Sequence, residues 1–149
     1  MKIYIPGDSA AQSVGSDLVA VALAAEAAKR NLEITIIRNG TRGALWLEPL
    51  VEIEKDGKRI GYNNVTSDDA AAVLDGTHPS IGDVDSYEWF TKQDRVTYKR
   101  VGIIDPLSIS DYEALSDQVQ FRFHPFYLQQ KADGTLALLK ARSYQVRMS

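Results

Sequence analysis

The chain has 149 residues, the length of one ordinary domain, with 44% hydrophobic and 25% charged residues, a net charge of -3 and no cysteine. These proportions exclude wholesale disorder, and a domain of this length buries roughly 68–70% of the surface its unfolded chain exposes. The absence of sulfur excludes disulfides, thiolate zinc sites, cysteine nucleophiles and cysteine-ligated iron-sulfur clusters, and the charge gives no electrostatic reason to expect nucleic acid.

Lys2 to Ile5 predicts a short strand. The small, polar run Gly7 to Ser13 predicts a loop, and its Asp8, Ser9 and Ser13 have no Gly-x-Ser-x-Gly elbow or adjacent base to make a nucleophile. Leu18, Val21, Ala22 and Ala25 fall at i, i+3, i+4 and i+7, which predicts a helix from Asp17 to Arg30 burying that stripe. The β-branched run Glu33 to Arg38 predicts a buried strand, closing a right-handed βαβ unit. The spacing of Gly7 and Gly15 does not match a dinucleotide-binding loop.

After the turn Asn39 to Gly43, Leu50 to Glu54 alternates as a strand with one wet face. Asp56-Gly57 predicts a hairpin into Lys58 to Tyr62. Thr66 to Asp69 predicts the cap of a helix running to Asp75 and stopped by Gly76. From 77 to 98 we expect a segment that wraps the domain without extending its sheet, with a short helix at Tyr87 to Phe90 and a small strand near Val96. The runs 119–128 and 135–148, separated by Asp133-Gly134, predict a hairpin carrying Phe121, Phe123, Phe126 and Tyr127. Charge changes sign along the chain: residues 1–113 hold 12 basic and 18 acidic residues (-6), and residues 114–149 hold 5 and 2 (+3). No apolar run reaches the roughly 18 residues of a membrane span, and Lys2 to Pro6 is too short for a signal core, so the expected location is cytoplasmic.

The run Arg38 to Glu52, with Gly61-Tyr62 and Val65-Thr66, resembles the N-terminal region of the beta, flavin-bearing subunit of NAD-dependent formate dehydrogenases. Val101 to Ser108 and Asp111-Tyr112 resemble the start of that subunit's complex I-like flavin part. The likeness stops near Glu113. The order of predicted elements is the minimal thioredoxin-like layout, so the expectation is an α/β, thioredoxin-like β-α-β-β-β-α domain over 1–76, a wrapping segment over 77–113 that resembles the entry to the flavin domain, and a divergent basic β-hairpin extension over 114–149. More distantly, the region is similar to the small complex I subunit that carries a two-iron two-sulfur cluster. The likeness places that cluster's four ligand positions at Thr41, Leu45 and approximately at Pro6 and Ala11, none of which supplies a thiolate.

The resemblance therefore implies a scaffold that is not catalytic alone, with degenerate iron-sulfur positions and no catalytic, cofactor-binding or metal-binding residue. FMN, NAD and iron-sulfur clusters are expected only in the flavin domain or in partner subunits of an NAD-linked oxidoreductase. Arg42, Trp46 and Glu48 are the candidate partner contacts. The alternative for this loop is that Trp46 caps the core and Arg42 is solvated. Glu48-Pro49 is a candidate cis peptide by analogy with thioredoxin-like folds. His78 and His124 each precede a proline and are expected in exposed or turn positions. The rival reading of the whole chain is a stand-alone adaptor whose C-terminal hairpin makes homo-oligomer or partner contacts. Its mixed aromatic and basic residues fit a self-closing hairpin better than a nucleic-acid surface.

Overall fold

The computed structural model describes residues 1–95 and 98–114 and, further on, the backbone of four short strands. The chain divides into two compact units, Met1–Tyr112 and Glu113–Ser149.

The first unit is a mixed α/β structure built on a five-stranded sheet. In chain order it runs β1 (Lys2–Tyr4), α1 (Ser9–Ser13), α2 (Ser16–Lys29), β2 (Thr35–Ile37), β3 (Val51–Lys55), β4 (Lys58–Tyr62), α3 (Ala70–Asp75), β5 (Ser80–Asp83), α4 (Glu88–Thr91) and α5 (Ile109–Ala114). The strand order is β2-β1-β3-β4-β5, with β1 and β2 parallel and the remaining pairs antiparallel. The β3–β4 hairpin turns on Asp56 and Gly57, both at positive φ, the backbone twist that a two-residue hairpin requires. Asp69 accepts hydrogen bonds from Thr66 N and Oγ1 (2.8 and 2.6 Å) ahead of α3, and Gly76 ends that helix in the left-handed region as expected.

Strand alternation gives the sheet two different faces. Ile3, Ile53 and Ile60 lie in register on one face, with Val51 opposite Tyr62. They form the main core with Val19, Ala20 and Leu23 of α2 and Val73 of α3. The other face carries Tyr4, Glu52, Glu54 and Arg59.

The structure corrects several sequence expectations. Gly7 to Ser13 is not all loop: Asp8 Oδ1 accepts from Ala10 N and Ala11 N, capping α1, and Ala11 is fully buried. The α2 stripe of Leu18 and Val21 faces outward at 67% and 68% exposure, while Val19, Ala20, Leu23 and Ala27 are buried. The helix is apolar nearly all round, so periodicity alone could not select its inner face. β2 is an edge strand and only half-buried. β5 extends the sheet against β4, where 77–98 was expected only to wrap it; Gly61 and Gly82 pair across the two strands. The side of β3 expected to be wet is covered at Glu52, which is 1% exposed.

In the second unit Arg122–Phe123 (β6) pairs antiparallel with Tyr144–Gln145 (β9), and Leu128–Gln130 (β7) pairs antiparallel with Leu136–Leu138 (β8). The expected strand near Val96, the Asp133-Gly134 turn, the side chains of Phe121, Phe123, Phe126 and Tyr127, and His124 lie outside the described residues. None of the described helices is long and apolar enough to cross a membrane.

Candidate functional site

The loop from Asn39 to Pro49 joins the edge strand β2 to the central strand β3, so both of its ends are held by the sheet. Asp8 ties it to the first loop: while Oδ1 caps α1, Oδ2 accepts from Thr41 N at 2.6 Å. Gly7 N donates to Asn39 O at 2.8 Å, completing the seam.

Inside the loop, Arg42 reaches the polar face of the sheet. Its Nε and Nη2 donate to the two carboxylate oxygens of Glu52 at 2.7 and 2.9 Å, with the two side chains 8% and 1% exposed. Arg59 adds a third charge, donating to Glu52 at 3.3 Å and to the carbonyls of Gly102 and Ile103 at 2.9 Å, while its guanidinium lies 3.5 Å from the centre of the Tyr4 ring. Asn39 Nδ2 donates to the same Gly102 carbonyl at 2.8 Å. The turn around Gly102 thus closes over an Arg42–Glu52–Arg59 triad in which Arg42 and Glu52 are buried and Arg59 is partly so. A Cβ at Gly102 would stand 2.4 Å from Arg42 Cγ, and the residue sits at φ 82°, so this approach requires glycine. Burial alone would lower the Arg42 pKa, but the hydrogen bonds and charge of Glu52, with Asp85 beside it, hold it above its ordinary value. Removing one member of such a buried pair costs about 3–5 kcal/mol, because the other charge is stranded.

Glu48 is also internal, at 6% exposure. Its Oε1 accepts from Thr41 Oγ1 at 2.5 Å and its Oε2 from Leu50 N at 2.9 Å. Burial pushes its pKa up; the two hydrogen bonds oppose this, and the charges of Asp8 and Glu52 add to it. The Glu48-Pro49 peptide is cis. Of the three candidate contact residues, the structure therefore keeps Arg42 and Glu48 inside and presents Trp46, at 52% exposure. This differs from both readings of the loop, since Trp46 is too exposed to cap the core and Arg42 is not solvated.

Trp46 has a neighbour that the sequence pattern did not identify. Trp89 of α4, itself 47% exposed, meets it edge-to-face with ring centroids 4.9 Å apart, and Leu45 beside them is 58% exposed. Next to these residues in the chain, Ala44, Leu47 and Leu50 form a second small core with Ile81, Tyr87 and Phe90. Aromatic residues in Tyr87 to Phe90 were the available signal, but nothing in their spacing showed which ring would reach back to position 46. A cleft of about 660 Å³ opens on another side of the loop, lined by Thr41, Arg42, Gly43, Arg95, Tyr98 and Val101 among others. Arg95 donates to the Arg42 carbonyl there, and its pKa is lowered first by burial and then by the Arg42 charge.

At the four positions that the resemblance assigns to iron-sulfur ligands, Pro6 and Ala11 are fully buried, Thr41 is bonded to Glu48, and Leu45 is exposed. A proline ring, a methyl, a hydroxyl and an aliphatic chain do not fit a cluster, whose iron needs thiolate or imidazole donors. Among the described residues no group of three or more His, Cys, Asp or Glu side chains gathers as a metal site. His78 lies in the bend after α3, with a ring 11% exposed. Its Nε2 is 3.0 Å from Asn63 O and its Nδ1 3.7 Å from Asp69, so it is more enclosed than expected. No protein-family model and no curated protein matches the chain.

Proposed function

We propose that this chain is a non-catalytic, thioredoxin-like partner-binding domain related to the flavin subunit of NAD-linked formate dehydrogenases, with Trp46 as its contact anchor. The observation that carries this reading is the exposed Trp46–Trp89 pair, flanked by Leu45 and mounted on a loop pinned from behind by Arg42–Glu52 and Thr41–Glu48. Large rings that face solvent on a rigid support lose little freedom on binding, and tryptophan and arginine dominate interface energetics. The thioredoxin-like assignment is supported by the parallel β1–β2 pair joined through α2 and by the antiparallel β3–β4 hairpin beside it. The electron carriers belong, on this reading, to partner subunits or to a flavin domain.

The test is co-expression with the iron-sulfur and flavin subunits of an NAD-linked formate dehydrogenase, followed by affinity purification and native mass spectrometry. The tagged chain is expected to retain a stoichiometric partner, and Trp46→Ala to weaken that association by about 30-fold, the loss typical of an interface anchor. Absence of any such complex, or one indifferent to Trp46→Ala, rejects the reading. A second reading is an adaptor acting through the C-terminal region, where Arg122 pairs opposite Gln145 and Leu128 opposite Leu138.

A further inference from the structure

The cleft of about 660 Å³ beside the Asn39 to Pro49 loop has the size of a small-molecule site, and Arg95 lines it. Arg95 differs from its neighbours in how its charge is met. Arg30, Arg38, Arg42 and Arg59 each pair with a carboxylate, of Glu26, Asp17, Glu52 and Glu52 respectively. Arg95 Nε instead donates to Gln93 Oε1 at 2.9 Å and its Nη2 to the Arg42 carbonyl, while the Phe90 ring centre lies 5.7 Å away. Both acceptors are neutral. Among the described residues no carboxylate pairs with Arg95, and its Nη1 donates to nothing.

The surroundings add to this imbalance. Arg95 is only partly exposed, and burial and then the Arg42 charge both disfavour its protonated form. Arg42 itself is already held by Glu52 and Asp85. The cleft therefore contains a guanidinium fixed at two points, with its charge uncompensated and its outer N–H groups unused, an arrangement suited to an anion.

We propose that this cleft binds a small aromatic carboxylate, with the carboxylate on Arg95 and the ring against Tyr98. Three features select that class. The guanidinium is a planar fork that matches a planar carboxylate, and one uncompensated positive charge matches one negative charge. The acid of the lining, Asp94, is exposed, and it repels a dianion more than a monoanion. Tyr98 also lines the cleft, is 68% exposed and makes no ring contact among the described residues, so with Val101 it offers a flat apolar surface to an aromatic body.

The test is nuclear magnetic resonance titration of the isotope-labelled full-length protein with sodium benzoate at about pH 8. Saturable, one-to-one shifts are expected at the Arg95 Nε–H and at the Gly43 and Val101 amides. Acetate, which has no ring, and phenyl phosphate, which carries two charges at that pH, are expected to bind at least about 5-fold more weakly. Arg95→Ala is expected to weaken benzoate binding at least about 10-fold. Because that variant also removes a hydrogen bond to the Arg42 carbonyl, two exposed positions supply checks that do not disturb the loop. Tyr98→Ala is expected to bring benzoate down to the level of acetate, and Asp94→Asn to tighten both anions and narrow the gap between benzoate and phenyl phosphate. Three results overturn the proposal: no saturable shift with benzoate, binding that Arg95→Ala and Tyr98→Ala both leave unchanged, or phenyl phosphate binding more tightly than benzoate to the parent. None of these involves Trp46 or a partner subunit, so the proposal stands or falls apart from the proposed function.

Discussion

Glu48 shows how a single buried carboxylate leaves a readable trace. Its folded pKa is raised above the ordinary value of 4.5, first by burial. Between the ordinary and the raised value the native state holds more protons at this site than the unfolded chain does, so the residue's contribution to stability falls as pH rises through that window. Above the window the cost of burying the charge is fully present. Glu48→Gln keeps an acceptor for Leu50 N and can donate to Thr41 Oγ1, and it cannot ionise. Relative to the parent, the variant is therefore expected to gain stability as pH rises from about 4 and to hold a constant advantage above the window, measured by urea unfolding at a series of pH values. A flat difference, or one that declines with pH, would show that this carboxyl is not desolvated. The sequence could nominate Glu48 because it sits beside Pro49 in a loop, but its burial depends on Thr41 and Leu50 closing over it, a tertiary fact that no local spacing encodes.

Among the elements, legibility followed the strength of local backbone signals. The Asp56-Gly57 hairpin, the Thr66 to Asp69 cap and the Gly76 stop were readable because positive φ and unpaired helix N–H groups demand particular residues. The inner face of α2 was not, since both sides are apolar. β5 was missed for a different reason: Ser80-Ile-Gly-Asp83 has one large apolar residue and a glycine at positive φ, and it becomes a strand only because β4 offers a complementary edge. That edge works through Gly61. A Cβ there would stand 2.7 Å from Val84 Cγ2 and 2.9 Å from Ile81 Cγ1, and Val84 is fully buried. Gly61→Ala is therefore expected to cost about 1–3 kcal/mol and to loosen β5 selectively. At Gly82 a Cβ meets nothing within 4 Å and only the positive φ opposes it, so Gly82→Ala is expected to cost about 1 kcal/mol. Thermal unfolding with hydrogen exchange along β5 separates the two; equal effects would mean that the close approach at Gly61 is not what seats the strand.

At the scale of the molecule, the first unit is completed by residues well beyond the position 76 where a minimal β-α-β-β-β-α layout would end. β5 adds the fifth strand, Phe90 joins the second small core, Trp89 meets Trp46, and the carbonyls of Gly102 and Ile103 accept from Arg59 and Asn39 over the triad. Without that turn, the covering of Glu52 and two buried donors would have to be replaced by water. A fragment of residues 1–114 is therefore expected to unfold in urea as one cooperative transition, with a slope in the 1–3 kcal/mol/M range of small domains. Tryptophan fluorescence can follow it, since both tryptophans, Trp46 and Trp89, lie within it. A fragment of residues 1–76 keeps the main core of Ile3, Leu23, Val51 and Val73 and the Arg42 loop, but loses the Gly102–Ile103 turn that closes the polar face. It is expected to give a broad, weakly cooperative transition by circular dichroism. If the shorter piece unfolded as sharply and at the same urea concentration as the longer one, the polar face would be an ordinary solvated surface, and the Arg42–Glu52–Arg59 triad would owe nothing to the turn that closes it.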